Sequence, residues 1–252
     1  MTDSTQRFSK RVEDYVRYRP GYPDSLLQRL LEETGLGAGA VVADVGSGTG
    51  IFTRLLLQRD LRVYAIEPNA PMREAAQAKL GDNPLFTSVA APAEDTGLAS
   101  DSLDLVTAAQ AFHWFNNDAA KAEFRRILKP SGQLALVWNR RKLSQPFQKA
   151  YDGILREFAP EYGKVNHMNL DENEIADFFA AGTMLVLRFD YSQQFDFPSL
   201  LGRLKSSSYC PAEDSAHYIP LVTELLALFD QHAVEGSIEF EYDTQLYLGP
   251  MS

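Results

Sequence analysis

The stretch ADVGSGTG (43–50) has residue types and spacing that suit the binding of a small ligand. Its glycines stand at alternate positions, so the backbone can turn tightly and approach a ligand with no Cβ in the way. A helical pattern follows, whose first N–H groups and positive dipole end suit a carboxylate or a phosphate. The spacing is not that of the dinucleotide motif G-x-G-x-x-G, because Ile51 stands where its third glycine would fall, and no Gly-Lys-Ser/Thr completes a P-loop. A tight turn that binds nothing is the alternative.

A carboxylate, Glu67, ends the β-rich run RVYAIE (62–67), 17 residues after Gly50. At the end of a second parallel strand, such a side chain can accept hydrogen bonds from both hydroxyls of a ribose. Alone, the glutamate is equally consistent with a solvated surface charge. Together with the glycine loop, it predicts a site for a ligand that contains a ribose.

The run from Asp104 to Phe115, which ends in AQAFHWF (109–115), is too long for one ordinary strand. As a strand it would span roughly 40 Å, about twice the common length, so we expect the chain to leave the sheet near Gln110. His113 then lies just past the strand end. Its ordinary pKa of about 6.5 suits a general base, but a histidine that only shapes a pocket wall or orients a ligand fits the pattern as well. Phe112 and Trp114 either exclude water from the site or belong to the core.

Short β-rich runs alternate with helical patterns from residue 40 onwards. The predicted strands are 41–45, 62–67, 85–90, 102–110 and 133–138, and the helices between them are 51–59, 70–80 and 118–128. This alternation predicts an α/β fold with a doubly wound parallel sheet covered by helices on both faces. In such a sheet, a ligand lies outside the carboxyl ends of the strands, where the strand order reverses. The glycine loop and the end of the fourth strand both fall there.

The flanking segments read as mixed helix and strand. An N-terminal helical segment (7–36) is broken at RYRPGYP (17–23) by Pro20, Gly21 and Pro23. After the fifth strand, the patterns predict helices at 143–158 and 214–233 and strands at 184–197 and 238–249. Asp171 and Glu174 have the spacing of a capping box, and Gly182 is a candidate helix C-cap.

Composition narrows the class of protein. The chain of 252 residues has a formal net charge of −10, which disfavours binding to nucleic acid or to an anionic membrane surface. No secretory signal pattern and no long apolar stretch is present, and the single cysteine, Cys210, cannot form an internal disulfide. We therefore expect a cytoplasmic protein, monomeric or homodimeric, with a small-molecule partner.

The series Asp44-x-Gly46-x-Gly48-x-Gly50 resembles the first motif of class I S-adenosylmethionine-dependent methyltransferases. AQAFHWF resembles the segment after the fourth strand in the group that includes the trans-aconitate and the ubiquinone/menaquinone biosynthesis methyltransferases. RYRPGYP is similar to bacterial and fungal methyltransferase-domain proteins. The resemblance is good over about residues 8–140 and looser beyond.

This resemblance implies a Rossmann-like, seven-stranded sheet that is mostly parallel, with an antiparallel last strand and an N-terminal helical lid. It also implies one methyltransferase domain over 1–252, divided into the lid (1–36), a cofactor-binding core (37–140) and a substrate side (141–252). The implied cofactor is S-adenosyl-L-methionine, converted to S-adenosyl-L-homocysteine, and the chemistry requires no metal. Ala93 and Glu94 of APAED (91–95) would border the adenine.

The predicted site residues fall into two groups. The predicted cofactor-binding residues are Tyr15, Arg19, Asp44, Gly46, Ser47, Gly48, Gly50, Glu67, Pro68, Met72, Ala93, Glu94, Gln110 and Ala111. The predicted substrate pocket comprises Phe112, His113, Trp114, Asn139 and Arg140, with His113 as the candidate catalytic residue.

The methyl acceptor cannot be deduced from these motifs. For a carboxylate acceptor, a cation would matter more than a base, and Arg140, Arg141 or Arg19 could supply it, although the arginine pair also fits a solvated helix start. We expect a small molecule methylated at a carboxylate or hydroxyl oxygen. A macromolecule methyltransferase and a non-catalytic scaffold are the alternatives.

Overall fold

A seven-stranded sheet forms the centre of the protein. The computed structural model describes residues 12–115, 117–165 and 172–251. The strands lie in the order β3-β2-β1-β4-β5-β7-β6; their bounds are Val41–Val45 (β1), Arg62–Ile66 (β2), Phe86–Val89 (β3), Leu103–Ala109 (β4), Leu128–Arg141 (β5), Leu185–Phe195 (β6) and Ile238–Gly249 (β7). β1 pairs in parallel with both β2 and β4, and among the described strands β7 alone runs opposite to the others, antiparallel to both β5 and β6. The predicted doubly wound topology with an antiparallel last strand is confirmed.

Helices flank the sheet and its ends. They are Val12–Tyr18 (α1), Asp24–Thr34 (α2), Ile51–Leu57 (α3), Ala70–Leu80 (α4), Asp118–Ile127 (α5), Pro146–Phe158 (α6), Tyr162–Val165 (α7), Glu172–Ala176 (α8), Phe197–Lys205 (α9) and Tyr218–His232 (α10). A short 3-10 helix, Phe112–Trp114, follows β4. None of the helices in the described part of the chain combines the length and apolar character that a bilayer crossing requires.

Both faces of the sheet are buried. Successive strand residues point to opposite faces, so one strand contributes side chains to two cores. In β1, Ala43 and Val45 join a core cluster with Phe124 of α5, whereas Val42 joins a second cluster with Leu30 of α2 and Leu56 of α3. The near-continuous apolar strands therefore serve two cores, as expected for a mostly parallel sheet.

A third apolar cluster lies beyond the carboxyl end of β5. It is formed by α6, α9 and α10 together with the first half of β7, including Phe240 and Tyr242. β7 runs antiparallel to β5, so Tyr242 lies opposite Arg141 at the end of that strand. The last hundred residues thus complete the same sheet and also build a wall at the edge where ligands bind in doubly wound folds.

The structure differs from the sequence patterns at several elements. β5 begins at Leu128 and continues to Arg141, so Arg140 and Arg141 lie in a strand and not at a solvated helix start. The N-terminal helical segment is two helices separated at 19–23, and its residues 7–11 lie outside the described residues, as does Asp171 of the expected capping box. Gly182 has φ 75 but lies in the turn before β6, six residues after α8 has ended, so it is not that helix's C-cap.

Candidate active site

A cavity of about 340 Å³ opens at the carboxyl ends of the central strands, where the strand order reverses. Its volume lies in the range of small-molecule sites. Residues from the glycine loop, the end of β2, the loop after β3, the segment after β4 and the N-terminal region line it; they are Tyr15, Arg19, Gly46, Gly48, Glu67, Pro68, Asn69, Met72, Ala91, Pro92, Ala93, Glu94, Ala109, Gln110, Ala111, His113, Trp114, Phe115, Ser208 and Tyr209. The structure therefore brings together most of the predicted residues.

The glycine loop closes tightly against the chain that follows β4. Gly46 has φ +68, and a Cβ built on it would lie 2.5 Å from the Cβ of Ala111, so no larger residue fits without movement. The backbone N–H groups of Gly46 and Ser47 donate to the carbonyl of Ile66 at 2.9 and 3.1 Å. Gly50 does not line this cavity, nor the smaller cavity described below. It caps α3 and packs towards Leu80 of α4.

Glu67 faces the larger cavity directly after β2. Its carboxylate accepts the N–H of Gly48 at 3.0 Å and the N–H of Asn69 at 2.9 Å. Burial raises the pKa of Glu67, and these two donors act in the opposite direction. A carboxylate has about four lone-pair sites, so Glu67 retains the capacity to accept hydrogen bonds from ligand hydroxyls.

Asp44 is buried beneath the loop. It accepts hydrogen bonds from the hydroxyls of Thr53 at 2.6 Å and Thr107 at 3.1 Å. Burial raises the pKa of Asp44 to about 6, although both hydroxyls favour the charged form. At neutral pH this carboxylate is ionised but weakly stabilised, which suits contact with a cationic group.

The larger cavity is also lined by Pro68, Met72, Ala93 and Glu94, all of which were predicted as cofactor-binding residues. The Glu94 side chain accepts a hydrogen bond from Asn117 at 2.8 Å, which places its carboxylate at the start of α5. Asn69 was not predicted; it lines the cavity and caps α4 by accepting the N–H of Met72 at 3.1 Å.

The chain leaves the sheet at Gln110, as the length of the run predicted. Gln110 has φ 56, a left-handed conformation uncommon for a residue other than glycine and often found at functional sites. Its N–H donates to Val137 at 2.9 Å and its side-chain amide to the Asn139 carbonyl at 3.1 Å. The bend directs the next residues into the 3-10 helix instead of continuing the strand.

The 3-10 helix separates the aromatic residues of AQAFHWF. With three residues per turn, Phe112 and Phe115 point to the same side, and their rings pack edge to face at 6.1 Å. Phe112 is fully buried against Trp138 and Phe178 and does not line the cavity, which corrects its expected place in the substrate pocket.

The other two residues of the 3-10 helix reach the cavity. Burial, together with the positive charge of Arg19, lowers the pKa of His113 to about 4, so its imidazole is neutral at pH 7. Trp114 stands at the cavity edge with 38% of its surface exposed.

A smaller cavity adjoins the larger one and shares Tyr15, Arg19, Gly46, Ala109 and Gln110 with it. Of the predicted residues, Asp44, Ser47 and Asn139 line only this smaller cavity. Asn139 donates to the carbonyl of Gly21 at 2.9 Å and accepts from Thr244 at 2.6 Å, so it anchors the N-terminal segment.

Strand alternation explains the arginine pair at the end of β5. Asn139 and Arg141 point to the smaller cavity, whereas Arg140 points to the other face of the sheet and lines neither cavity. Arg140 therefore does not occupy the expected substrate position. Arg203, Tyr209 and Tyr242, which sequence reasoning did not select, complete the walls. Among the described residues, no group of three or more His, Cys, Asp or Glu side chains could hold a metal ion.

Comparison with known proteins agrees with this geometry. A family model described as a methyltransferase domain matches residues 43–136. An uncharacterized methyltransferase of Mycobacterium tuberculosis is 30% identical over 245 residues, which cover 96% of this chain and 94% of the relative. A solved structure described as a type II methyltransferase from Anaeromyxobacter dehalogenans is 25% identical with a TM-score of 0.70, covering 92% of this chain and 98% of that one.

The fold also matches phosphoethanolamine N-methyltransferase 2 of Haemonchus contortus, solved in complex with S-adenosyl-L-methionine. The TM-score is 0.59 at 15% identity, over 98% of this chain and 59% of that one. The sheet and the glycine loop define a Rossmann-like protein of class I methyltransferase architecture. The chain belongs to the S-adenosylmethionine-dependent methyltransferases. The narrower resemblance to the trans-aconitate and ubiquinone/menaquinone group stays a prediction.

Proposed function

We propose that the protein transfers a methyl group from S-adenosylmethionine to an oxygen of a small-molecule acceptor, within the larger cavity. The observation that carries the proposal is that one continuous cavity contacts the glycine loop, Glu67 and the segment after β4. In this assignment Glu67 accepts from the ribose hydroxyls, and Ala93 and Glu94 border the adenine. Asp44 and Arg19 face the ammonium and the carboxylate of the methionine part.

The residues of the site fit this cofactor on chemical grounds. Glu67 has acceptor capacity left for hydroxyl groups, and the smaller cavity is lined by both a buried carboxylate, Asp44, and a half-buried cation, Arg19. A zwitterionic amino-acid end requires both signs of charge. Bound S-adenosylmethionine supplies an electrophilic methyl group on a sulfonium, and the protein supplies a water-poor site that holds the acceptor in line with it.

We assign His113 to orientation of the acceptor and not to proton abstraction. A base works best when its pKa lies near the operating pH, and the pKa of about 4 leaves this imidazole a weak proton acceptor. A neutral imidazole still offers a hydrogen bond. Trp114 lies at the cavity edge, where it limits the entry of water.

Two features support a small acceptor over a macromolecule. The net charge of −10 disfavours a nucleic acid, and the segment Gln110-Ala111-Phe112-His113 does not resemble the Asn/Asp-Pro-Pro-aromatic segment of amino-methylating nucleic-acid enzymes. We further propose one methyltransferase domain with the lid at 1–36, the cofactor-binding core at 37–140 and the substrate side at 141–252. Its location in the cytoplasm is part of the proposal.

Two experiments test this function. Calorimetric titration with S-adenosylhomocysteine should show saturable binding, and no detectable binding at millimolar ligand would refute the cofactor assignment. Incubation with methyl-labelled S-adenosylmethionine should then label a compound from a panel of carboxylates, phenols and amines. Label found only in added RNA or protein would favour the macromolecule alternative.

A further inference from the structure

Three arginines from separate elements line the smaller cavity. Arg19 follows α1, Arg141 ends β5 and Arg203 lies in α9. Arg141 and Arg203 are only 5% and 4% exposed. All three lie outside residues 43–136, the stretch matched by the family model.

The carboxylates of the smaller cavity do not balance these cations. Arg141 pairs with Asp152 at 3.3 Å. Arg203 donates to the Ser207 hydroxyl at 3.0 Å, but its Nε has no hydrogen-bond partner, and no carboxylate among the described residues forms an ion pair with it. Of the described residues on the wall of the smaller cavity, Asp44 alone is a carboxylate, and Asp152 also pairs with Arg156 at 2.7 Å, so at least one of the three arginines has no carboxylate to balance it.

Phenol groups, not carboxylates, lie near the remaining guanidinium. The phenol oxygens of Tyr242 and Tyr209 lie close enough to Arg203 to interact with it and can accept hydrogen bonds. A buried cation without a charged partner is unfavourable in a folded protein. The arrangement is therefore complementary to an anion that the chain itself does not provide.

The cofactor cannot supply this balance. S-adenosylmethionine carries a single carboxylate but also an ammonium and a sulfonium, so its arrival adds positive charge to the site. Its carboxylate is assigned to Arg19 and its ammonium to Asp44, which leaves Arg203 unpaired. Ser208 and Tyr209, a few residues beyond α9, line the larger cavity, so the Arg203 region is continuous with the space for an acceptor.

We propose that the methyl acceptor is an organic acid whose carboxylate is bound by Arg203. A guanidinium is suited to this task, because its planar donors match a carboxylate in a bidentate geometry. The carboxylate acts as an anchor, whichever oxygen of the acceptor receives the methyl group. This assignment rests on the function proposed above and specifies its substrate class.

The first test works with an acceptor that has not been identified. A small-molecule cell extract is separated on an anion-exchange resin, and both fractions are incubated with the protein and methyl-labelled S-adenosylmethionine. The labelled product should arise from the retained, anionic fraction. An acceptor found in the unretained fraction overturns the assignment, and label in neither fraction overturns the small-molecule function itself.

The second test compares Arg203→Met with Arg203→Lys and with the control Arg188→Met, which removes an arginine from the outer strand β6, away from both cavities. Loss of one partner of a buried charge pair should raise the KM for the retained acceptor about 30-fold or more in Arg203→Met. Arg203→Lys should recover part of this loss because it keeps the charge, and Arg188→Met should change KM less than about threefold, as a surface pair would.

Affinity for S-adenosylhomocysteine separates the possible roles of Arg203. It should stay within about threefold of wild type in Arg203→Met, which also shows that the variant is folded. A loss of tenfold or more would mean that Arg203 holds the carboxylate of the cofactor, and an unchanged acceptor KM would mean that it holds neither; each result overturns the proposal. Failure of the wild-type protein to bind S-adenosylhomocysteine would instead reject the proposed function.

Discussion

Replacement of Glu67 by Gln tests the proposed cofactor site, because the role assigned to Glu67 depends most on its negative charge. The two carboxylate oxygens each accept one backbone N–H, from Gly48 and Asn69, and the group faces the larger cavity. Gln preserves the size of the side chain. It removes the negative charge and turns one acceptor oxygen into an NH₂ donor, so a backbone N–H and a ribose hydroxyl lose their acceptor.

The expected effect on binding is large. Hydrogen bonds to a charged group contribute about 1.5–3 kcal/mol each, so loss of a bond to ribose and weakening of the second should cost about 3 kcal/mol, or roughly 100-fold in the Kd of S-adenosylhomocysteine. Stability should change much less. Burial raises the pKa of Glu67, which means that the charged form is disfavoured in the folded protein, and its removal offsets part of the lost bonding.

Calorimetry at pH 7.5 measures the Kd, and urea unfolding of the ligand-free protein measures stability. Glu74→Gln is the control, because Glu74 is exposed on α4 and should leave both quantities unchanged. A loss of affinity below about fivefold in Glu67→Gln would refute the assignment of the ribose to this carboxylate, since that is less than a single charge-assisted hydrogen bond contributes.

Three further predictions concern the same cavity. Gly46→Ala should lower the free energy of unfolding by about 2–3 kcal/mol because its Cβ would meet Ala111; Gly48→Ala, with a similar positive φ but no atom within 4 Å, is the control for backbone strain alone. His113→Gln should reduce kcat less than about tenfold. The rate of the wild-type protein should show no pH dependence from His113 above pH 5. A 100-fold loss of kcat would instead support His113 as the general base. Wild-type Asp44, whose folded pKa of about 6 exceeds its ordinary 3.8, should gain stability relative to Asp44→Asn as pH falls from about 6 to about 4. The gain should reach at most about 3 kcal/mol by urea unfolding, and a difference independent of pH would contradict the burial argument.

The sheet and its ligand edge could be predicted from sequence because short-range patterns determine them. Alternating apolar runs located β1, β2 and β4 nearly residue by residue. The length of the run from Asp104 to Phe115 placed the bend at Gln110, where the structure has it. Glycine spacing located the loop, since the close approach of Gly46 to Ala111 depends on the absence of a side chain.

The remaining elements depend on contacts that sequence patterns do not contain. Phe112 was expected in the pocket because it follows the carboxyl end of β4, whereas the 3-10 turn puts its side chain in the core. The helix α9 was missed although Asp196 caps it and Pro198 occupies its first turn, both local signals for a helix start. Arg203 could not be assigned to a cavity, because only tertiary packing brings it to the same cavity wall as Arg141 of β5.

The N-terminal segment has a consequence for the order of events in turnover. Asn139 holds the carbonyl of Gly21 at 2.9 Å, and Arg19 donates to the carbonyl of Ser206 at the same distance, so the segment is tied across both cavities to β5 and to the end of α9. Tyr15 and Arg19 of this segment line the cavity proposed for the cofactor, and Trp114, which lines the same cavity, is 38% exposed. Steady-state kinetics should therefore be ordered, with S-adenosylmethionine first to bind and S-adenosylhomocysteine last to leave. Release of the N-terminal segment from these two contacts, and not the transfer of the methyl group, would then limit the rate of each cycle.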